Sequence, residues 1–199
     1  MIISYQGGQS FRVSQGDLSL AINPENQRFK ADVSLFSVGH PIRETSSPNG
    51  TGPDSTFVIS GPGEYEIKDI TVKGFLSETK YGGFKFNNIY LINFEGMNLC
   101  FLGALSNPNL DAKILESLEN IDILFVPIGN GEVLDAQAAN KLAVSLEPGI
   151  IIPMLYDEKS LKQFLKEGGE NKPEMLDKLV IKKKDLEGKE GDIVILKEE

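Results

Sequence analysis

The residues able to do chemistry are few, and the most versatile of them stands alone. The stretch SVGHPIRET, residues 37–45, holds the only histidine, His40, and follows directly on ADVSLF, which reads as a buried strand. An imidazole with an ordinary pKa of about 6.5 can act as general base, metal ligand or hydrogen-bonding group. Its neighbours Ser37 and Arg43 add a hydroxyl and a guanidinium suited to carboxylate or phosphate. Nucleophilic catalysis through Ser and His finds no Gly-x-Ser-x-Gly elbow. The stretches GGQS, GPGE and GNGE lack the Lys-Ser/Thr ending of a phosphate loop and read as turns. One imidazole is too little for a catalytic metal, which normally takes three protein ligands. Cys100, the only cysteine, lies in the apolar run NLCFLG and reads as a small buried hydrophobe. The acidic pairs Glu64/Glu66 and Asp157/Glu158 read as solvated surface.

The elements that must position these groups change character along the chain. Its first half predicts short strands near 2–5, 10–14, 18–22, 32–36, 56–60, 64–67, 70–73, 89–94 and 97–101, separated by Gly, Asn and Pro. The Gln15-Gly16-Asp17 and Glu95-Gly96-Met97 turns suit hairpins. Helical spacing begins in NLDAKILESLEN, with Asp111 near the helix start. It returns in LDAQAANKLAVSLEPG, with Asp135 as N-cap, and in EKSLKQFLKEGG. Between these lie IDILFVPIG and GIIIPML, continuous apolar runs expected of strands buried on both faces. Short strands around LVIKKK and DIVILK complete a mixed α/β (α+β) pattern, a sheet core with helices outside. The turn-rich stretch 45–55, TSSPNGTGPDS, reads equally as a lid or as a surface loop.

Length and charge bound the rest. The 199 residues suit one domain, 1–199, and 40% hydrophobic with 25% charged residues is the composition of a soluble globular protein. No run approaches the roughly 18 apolar residues of a membrane span, and the N-terminus lacks signal-peptide features, so a cytoplasmic location and no membrane partner are expected. A net charge of -9 argues against nucleic acid. The lysine-rich KLVIKKKD at 178–185 reads as a solvated face.

The order of several stretches carries more than any one of them. ADVSLFSVGHP, GPGEYEIKDITVKG, NIYLINFEGMNLCFLGALSN, IDILFVPIGN and LEPGIIIPMLY follow one another as landmarks do in the metallo-β-lactamase fold hydrolases. The chain resembles that superfamily, and within it the branch similar to L-ascorbate-6-phosphate lactonase. The resemblance implies a four-layer αββα sandwich and a zinc loop of the form His-x-His-x-Asp-His. The matching positions here are Val38, His40, Ile42 and Arg43. Ala104 stands where the family carries a bridging aspartate, Leu155 where its last histidine falls, and Asn23 where an Asp-Pro turn is usual. Carboxylates on segments that the resemblance places near the site are Glu44, Asp54, Glu78 and Asp157.

The expectation is therefore a zinc-hydrolase scaffold without its zinc site, holding no metal and no cofactor, and serving as a non-catalytic binding or assembly module. The alternative is a diverged hydrolase with a relocated metal site or a metal-free mechanism around His40. In either case Ser37, His40, Arg43, Asn107, Asn130 and Tyr156 are expected to converge on one cleft for a small anionic ligand or sugar. Self-association into a homo-oligomer is a further expectation.

Overall fold

Alternating apolar residues early in the chain and continuous apolar runs later dictate two kinds of strand, and the protein sorts them into two facing sheets. The computed structural model describes residues 1–25, 31–39, 56–129, 131–170 and 173–199. Strands β1 (Ile2–Tyr5), β2 (Phe11–Gln15), β3 (Leu18–Ile22), β4 (Val33–Leu35), β5 (Phe57–Ile59) and β13 (Leu179–Val180) form the first sheet, in the order β13-β1-β2-β3-β4-β5. Its register aligns Tyr5, Phe11, Ile22, Leu35 and Ile59 in one row on the inner face, all buried. The period of two then sends Ser4, Arg12, Ala21, Ser34 and Val58 to the outer face.

The second sheet contains β6 (Gly63–Ile67), β7 (Ile70–Glu78), β8 (Phe86–Phe94), β9 (Met97–Phe101), β10 (Ile123–Pro127), β11 (Ile150–Met154), β12 (Glu174–Leu176) and β14 (Asp192–Leu196). Their order is β12-β14-β11-β10-β9-β8-β7-β6. Every residue of β10 and β11 is buried, as their unbroken apolar runs predict. Between the sheets lies one apolar cluster, in which Phe11 packs edge-on against Phe125 with ring centroids 4.8 Å apart. A second cluster lies under the helices α1 (Ala112–Ser117), α2 (Ala136–Leu146) and α3 (Glu158–Glu167). There Leu142, Leu146 and Phe164 cover Cys100, Leu124 and Val126 on the outer face of the second sheet. This is the mixed α/β core of sheet with helices outside that the sequence pattern predicts, in the two-sheet sandwich that the resemblance implies.

Local chemistry explains most boundaries. Asp135 caps α2 by accepting from the Ala138 amide at 2.8 Å, and Asp157 and Ser160 form a reciprocal capping box on α3. Asp111 makes no such bond, and α1 stops after six residues. Residues 183–186, inside the lysine-rich stretch, form a 3₁₀ turn that Lys183 ties to Asp122 at 2.6 Å. Two strands exceed the sequence expectation. β7 and β8 pair over nine residues each, through Glu78↔Phe86, because polar residues at their far ends find partners in distant loops. The strand β12 was not expected, since its exposed residues give no alternation. No helix among the described residues is long and apolar enough to cross a membrane. The stretch 45–55 lies outside the described residues.

Candidate functional site at the strand ends

Strands β9, β10 and β11 are mutually parallel, as are β3, β4 and β5, so the loops that leave their C-terminal ends gather at one end of the sandwich. What fastens these loops together is a set of buried amides. Asn87 and Asn88 open the apolar strand β8 and, being consecutive, point to opposite faces. The Asn87 side-chain nitrogen donates to Ser77 Oγ and to the Leu102 carbonyl, each at 2.9 Å, while its Oδ1 accepts from the Ala104 amide at 2.9 Å. Asn88 donates to the carbonyls of Ser37 and Ser60 at 3.3 Å, which fastens the second sheet to the ends of β4 and β5. Its Oδ1 is buried without a partner.

Ser37 is fully enclosed. Its amide donates to Asn23 Oδ1 at 2.8 Å, its hydroxyl donates to Gln9 Oε1 at 3.2 Å and accepts from Asn23 Nδ2 at 3.0 Å, and its carbonyl accepts the Asn88 amide at 2.7 Å. Every polar group of Ser37 is thus spent on the scaffold. Asn23 sits at φ 45°, a left-handed conformation that asparagine tolerates, and its NH₂ supplies donors a carboxylate would lack.

Close backbone approach fixes the remaining loops. Gly103, at φ +61°, lies so near β8 that a Cβ there would stand 2.2 Å from Asn87 Oδ1 and 2.8 Å from Ser37 Cβ. Gly129 passes equally close to Leu155, whose carbonyl oxygen would lie 2.5 Å from an added Cβ. Leu155 itself is left-handed at φ 53° and donates its amide to the Gly8 carbonyl at 3.0 Å, which also accepts the Tyr5 hydroxyl. The turn 79–84 crosses this end. Thr79 Oγ1 donates to the Ala104 carbonyl at 2.5 Å, the Gly82 amide donates to Glu132 at 3.1 Å, and the Phe84 ring lies against Gly39.

Of the residues expected in a cleft, Tyr156 and Asn107 reach this end half-buried. Asn107 contacts Glu78 Oε2 at 3.5 Å. Burial raises the Tyr156 hydroxyl above the ordinary tyrosine value, with Glu198 adding to the effect, and burial raises Tyr5 likewise. Both phenols therefore stay protonated and able to donate at neutral pH. His40, Arg43 and Asn130 lie outside the described residues. Of the positions that the resemblance equates with metal ligands, Val38, Ala104 and Leu155 are described, and their side chains carry no donor atom. No three His, Cys, Asp or Glu side chains among the described residues gather as a metal cage. Asn87, Thr79 and Gln9 were not anticipated, although two adjacent asparagines inside an apolar strand are a legible sign of long-range hydrogen bonding.

Comparison with known proteins supports the sandwich. A family model described as the Beta-lactamase superfamily domain matches residues 2–155. A candidate Zn-dependent hydrolase of the metallo-beta-lactamase superfamily from Thermotoga maritima superposes with a TM-score of 0.77 at 24% identity, over 100% of this chain and 99% of that one. A candidate metal-dependent hydrolase from Parabacteroides distasonis gives 0.68 at 16% identity, over 99% and 93%. The metallo-beta-lactamase fold protein YhfI from Bacillus subtilis gives 0.62 at 10% identity, over 99% and 96%. At these identities the likeness is one of fold.

Proposed function

We propose, for a chain that belongs to the beta-lactamase superfamily, a role as a binding or assembly module on a hydrolase scaffold that works without a catalytic metal. One observation carries this reading. Ala104, where the resemblance puts the bridging ligand, is wholly buried, and both its amide and its carbonyl are tied into the scaffold, to Asn87 and Thr79. A methyl group there offers zinc nothing, and neither does Val38 or Leu155, because zinc takes nitrogen, sulfur or oxygen donors. Of the positions that the resemblance equates with ligands, the three described ones offer the ion no donor.

Of the carboxylates that would have to substitute, Glu78 meets Asn107 and Asp157 caps α3 through Ser160, while Glu44 and Asp54 lie outside the described residues. The half-buried Tyr156 is left to meet a small ligand, beside Asn107 where it meets Glu78, with Arg43 as counter-charge if that ligand is an anion. The descriptions of the structural neighbours favour a second reading, a hydrolase with donors recruited elsewhere or a metal-free mechanism around His40.

Elemental mass spectrometry separates the two, on protein made in zinc- and manganese-supplemented medium and desalted. The binding-module reading expects below about 0.1 metal per chain, and a ratio near one or two overturns it. A His40→Ala variant that abolished a measurable hydrolysis while keeping its melting temperature would establish the second reading.

A further inference from the structure

The first sheet ends on one side in β13, whose outer edge pairs with no other strand. Ile181 continues the pairing of β13 with β1: its amide donates to the Met1 carbonyl at 3.0 Å, and its carbonyl accepts from the Met1 nitrogen at 2.8 Å. Bonded and non-bonded pairs alternate along an antiparallel ladder, so the next pair, Val180 with Ile2, is a non-bonded one. The N–H and C=O of Val180 therefore point away from β1, off the edge of the sheet. Its side chain is 61% exposed, and that of Ile2 across the ladder 40%. The helices α1, α2 and α3 pack on the second sheet and do not cover this edge.

Charge decides what such an edge accepts. Lys178 and Lys182, both exposed, flank Val180. Lys182 is extended, at φ -117° and ψ 158°, so its side chain leaves on the same face as that of Val180. The other charged groups of this stretch are engaged. Asp177 holds Lys197 at 2.9 Å, Lys183 holds Asp122 at 2.6 Å, and Asp185 accepts the Lys182 amide at 2.8 Å. Lys178, Lys182 and Lys184 have no ion-pair partner among the described residues, in a chain whose net charge is -9. A second copy pairing through β13 would set these lysines against one another, and lysine on an edge strand guards against such self-pairing. A strand carrying acids gains from the same lysines.

We propose that β13 takes an acidic peptide as an added strand. The central peptide residue exchanges both backbone hydrogen bonds with Val180, while acid, apolar and acid side chains at alternate positions meet Lys178, Val180 and Lys182. None of these residues belongs to the strand-end site, so the proposal does not rest on the function assigned there.

Fluorescence anisotropy of the intact protein with a labelled SETVTES peptide tests this at about 50 mM salt, where exposed charges are weakly screened. One comparison peptide, SKTVTKS, reverses the charges. The other is SETVTES methylated on the valine nitrogen, which has lost the N–H that the Val180 carbonyl accepts. Saturable binding of SETVTES is expected, weakened about ten-fold or more by either change. A Lys178→Glu/Lys182→Glu variant, altered only in exposed side chains, should lose SETVTES and gain SKTVTKS. Absence of saturable binding up to about 1 mM, equal binding of the methylated peptide, or an unchanged preference in the charge-reversed variant overturns the proposal. A dimer in sedimentation that Val180→Asp dissociates would assign the edge to a second copy and overturn it as well.

Discussion

Asn87 Oδ1 accepts the Ala104 amide proton at 2.9 Å, from a residue that is itself fully buried. Through this bond β8 holds the loop in which the superfamily resemblance places a metal ligand, and the same side chain donates to Ser77 and Leu102. The loop's shape is therefore held by an amide on a neighbouring strand.

Replacing Asn87 with alanine should destabilise the protein by about 3 kcal/mol, because the Ala104 amide and the Leu102 carbonyl lose their partner where water has little access. Urea denaturation measures this directly. A loss below about 1 kcal/mol would mean that the loop finds other partners and that the amide is not its main fastening.

Gly103→Ala should cost about 2 kcal/mol or more for two reasons that act together. Its φ of +61° is unfavourable for an alanine, and the new methyl would stand 2.2 Å from Asn87 Oδ1. In the double variant with Asn87→Ala the clash with Oδ1 goes while the 2.8 Å approach to Ser37 Cβ stays, so the double variant should cost less than the sum of the two single ones. Strict additivity would show that the strain lies in the backbone and against Ser37, with none against Asn87.

The fold was legible where one physical signal dominated. The apolar runs Ile123–Pro127 and Ile150–Met154 could only be strands covered on both faces, and Asp135 and Asp157 announced their helices by capping chemistry. The far ends of β7 and β8 were not legible, because Ser77, Asn87 and Asn88 are polar and their partners lie ten or more residues away. The candidate site shows the same division. Ser37 was singled out for its closeness to His40 in sequence, yet Asn23, Gln9 and Asn88 consume all its polar groups. Tyr156 and Asn107 do reach the strand ends, since they follow parallel strands whose termini share one side.

Cys100 should be chemically silent in the folded protein. It is wholly buried on β9 among Leu124, Val126 and the helix α2, and burial pushes its thiol well above the ordinary cysteine value, so almost no thiolate exists at neutral pH. A thiol-specific chromogenic disulfide reagent should label native protein only as fast as it unfolds and label denatured protein at once. Rapid labelling under native conditions would show that the packing under α2 opens locally.

Asp32 should make stability fall with acid in a recognisable way. It stands just before β4, where Oδ2 accepts from the Ser19 amide and hydroxyl at 2.9 and 3.1 Å and Oδ1 meets Lys68 Nζ at 2.6 Å. It thereby links the first sheet to the β6–β7 turn of the second. Burial pushes its carboxyl pKa up, but the Lys68 and Ser19 bonds pull harder, and the net result lies below the usual aspartate value. A depressed carboxyl stabilises the fold fully above the unfolded-state value of about 3.9, and that stabilisation is lost as pH falls through the folded-state value. Asp32→Asn should therefore be less stable than the natural protein by about 1 kcal/mol at neutral pH, with the gap constant down to about pH 5 and closing below about pH 4. Urea midpoints across that range measure the gap. One that stayed constant or widened in acid would mean that Asp32 contributes as a neutral hydrogen-bonding group, and that the charge on Lys68 adds nothing to the link between the sheets.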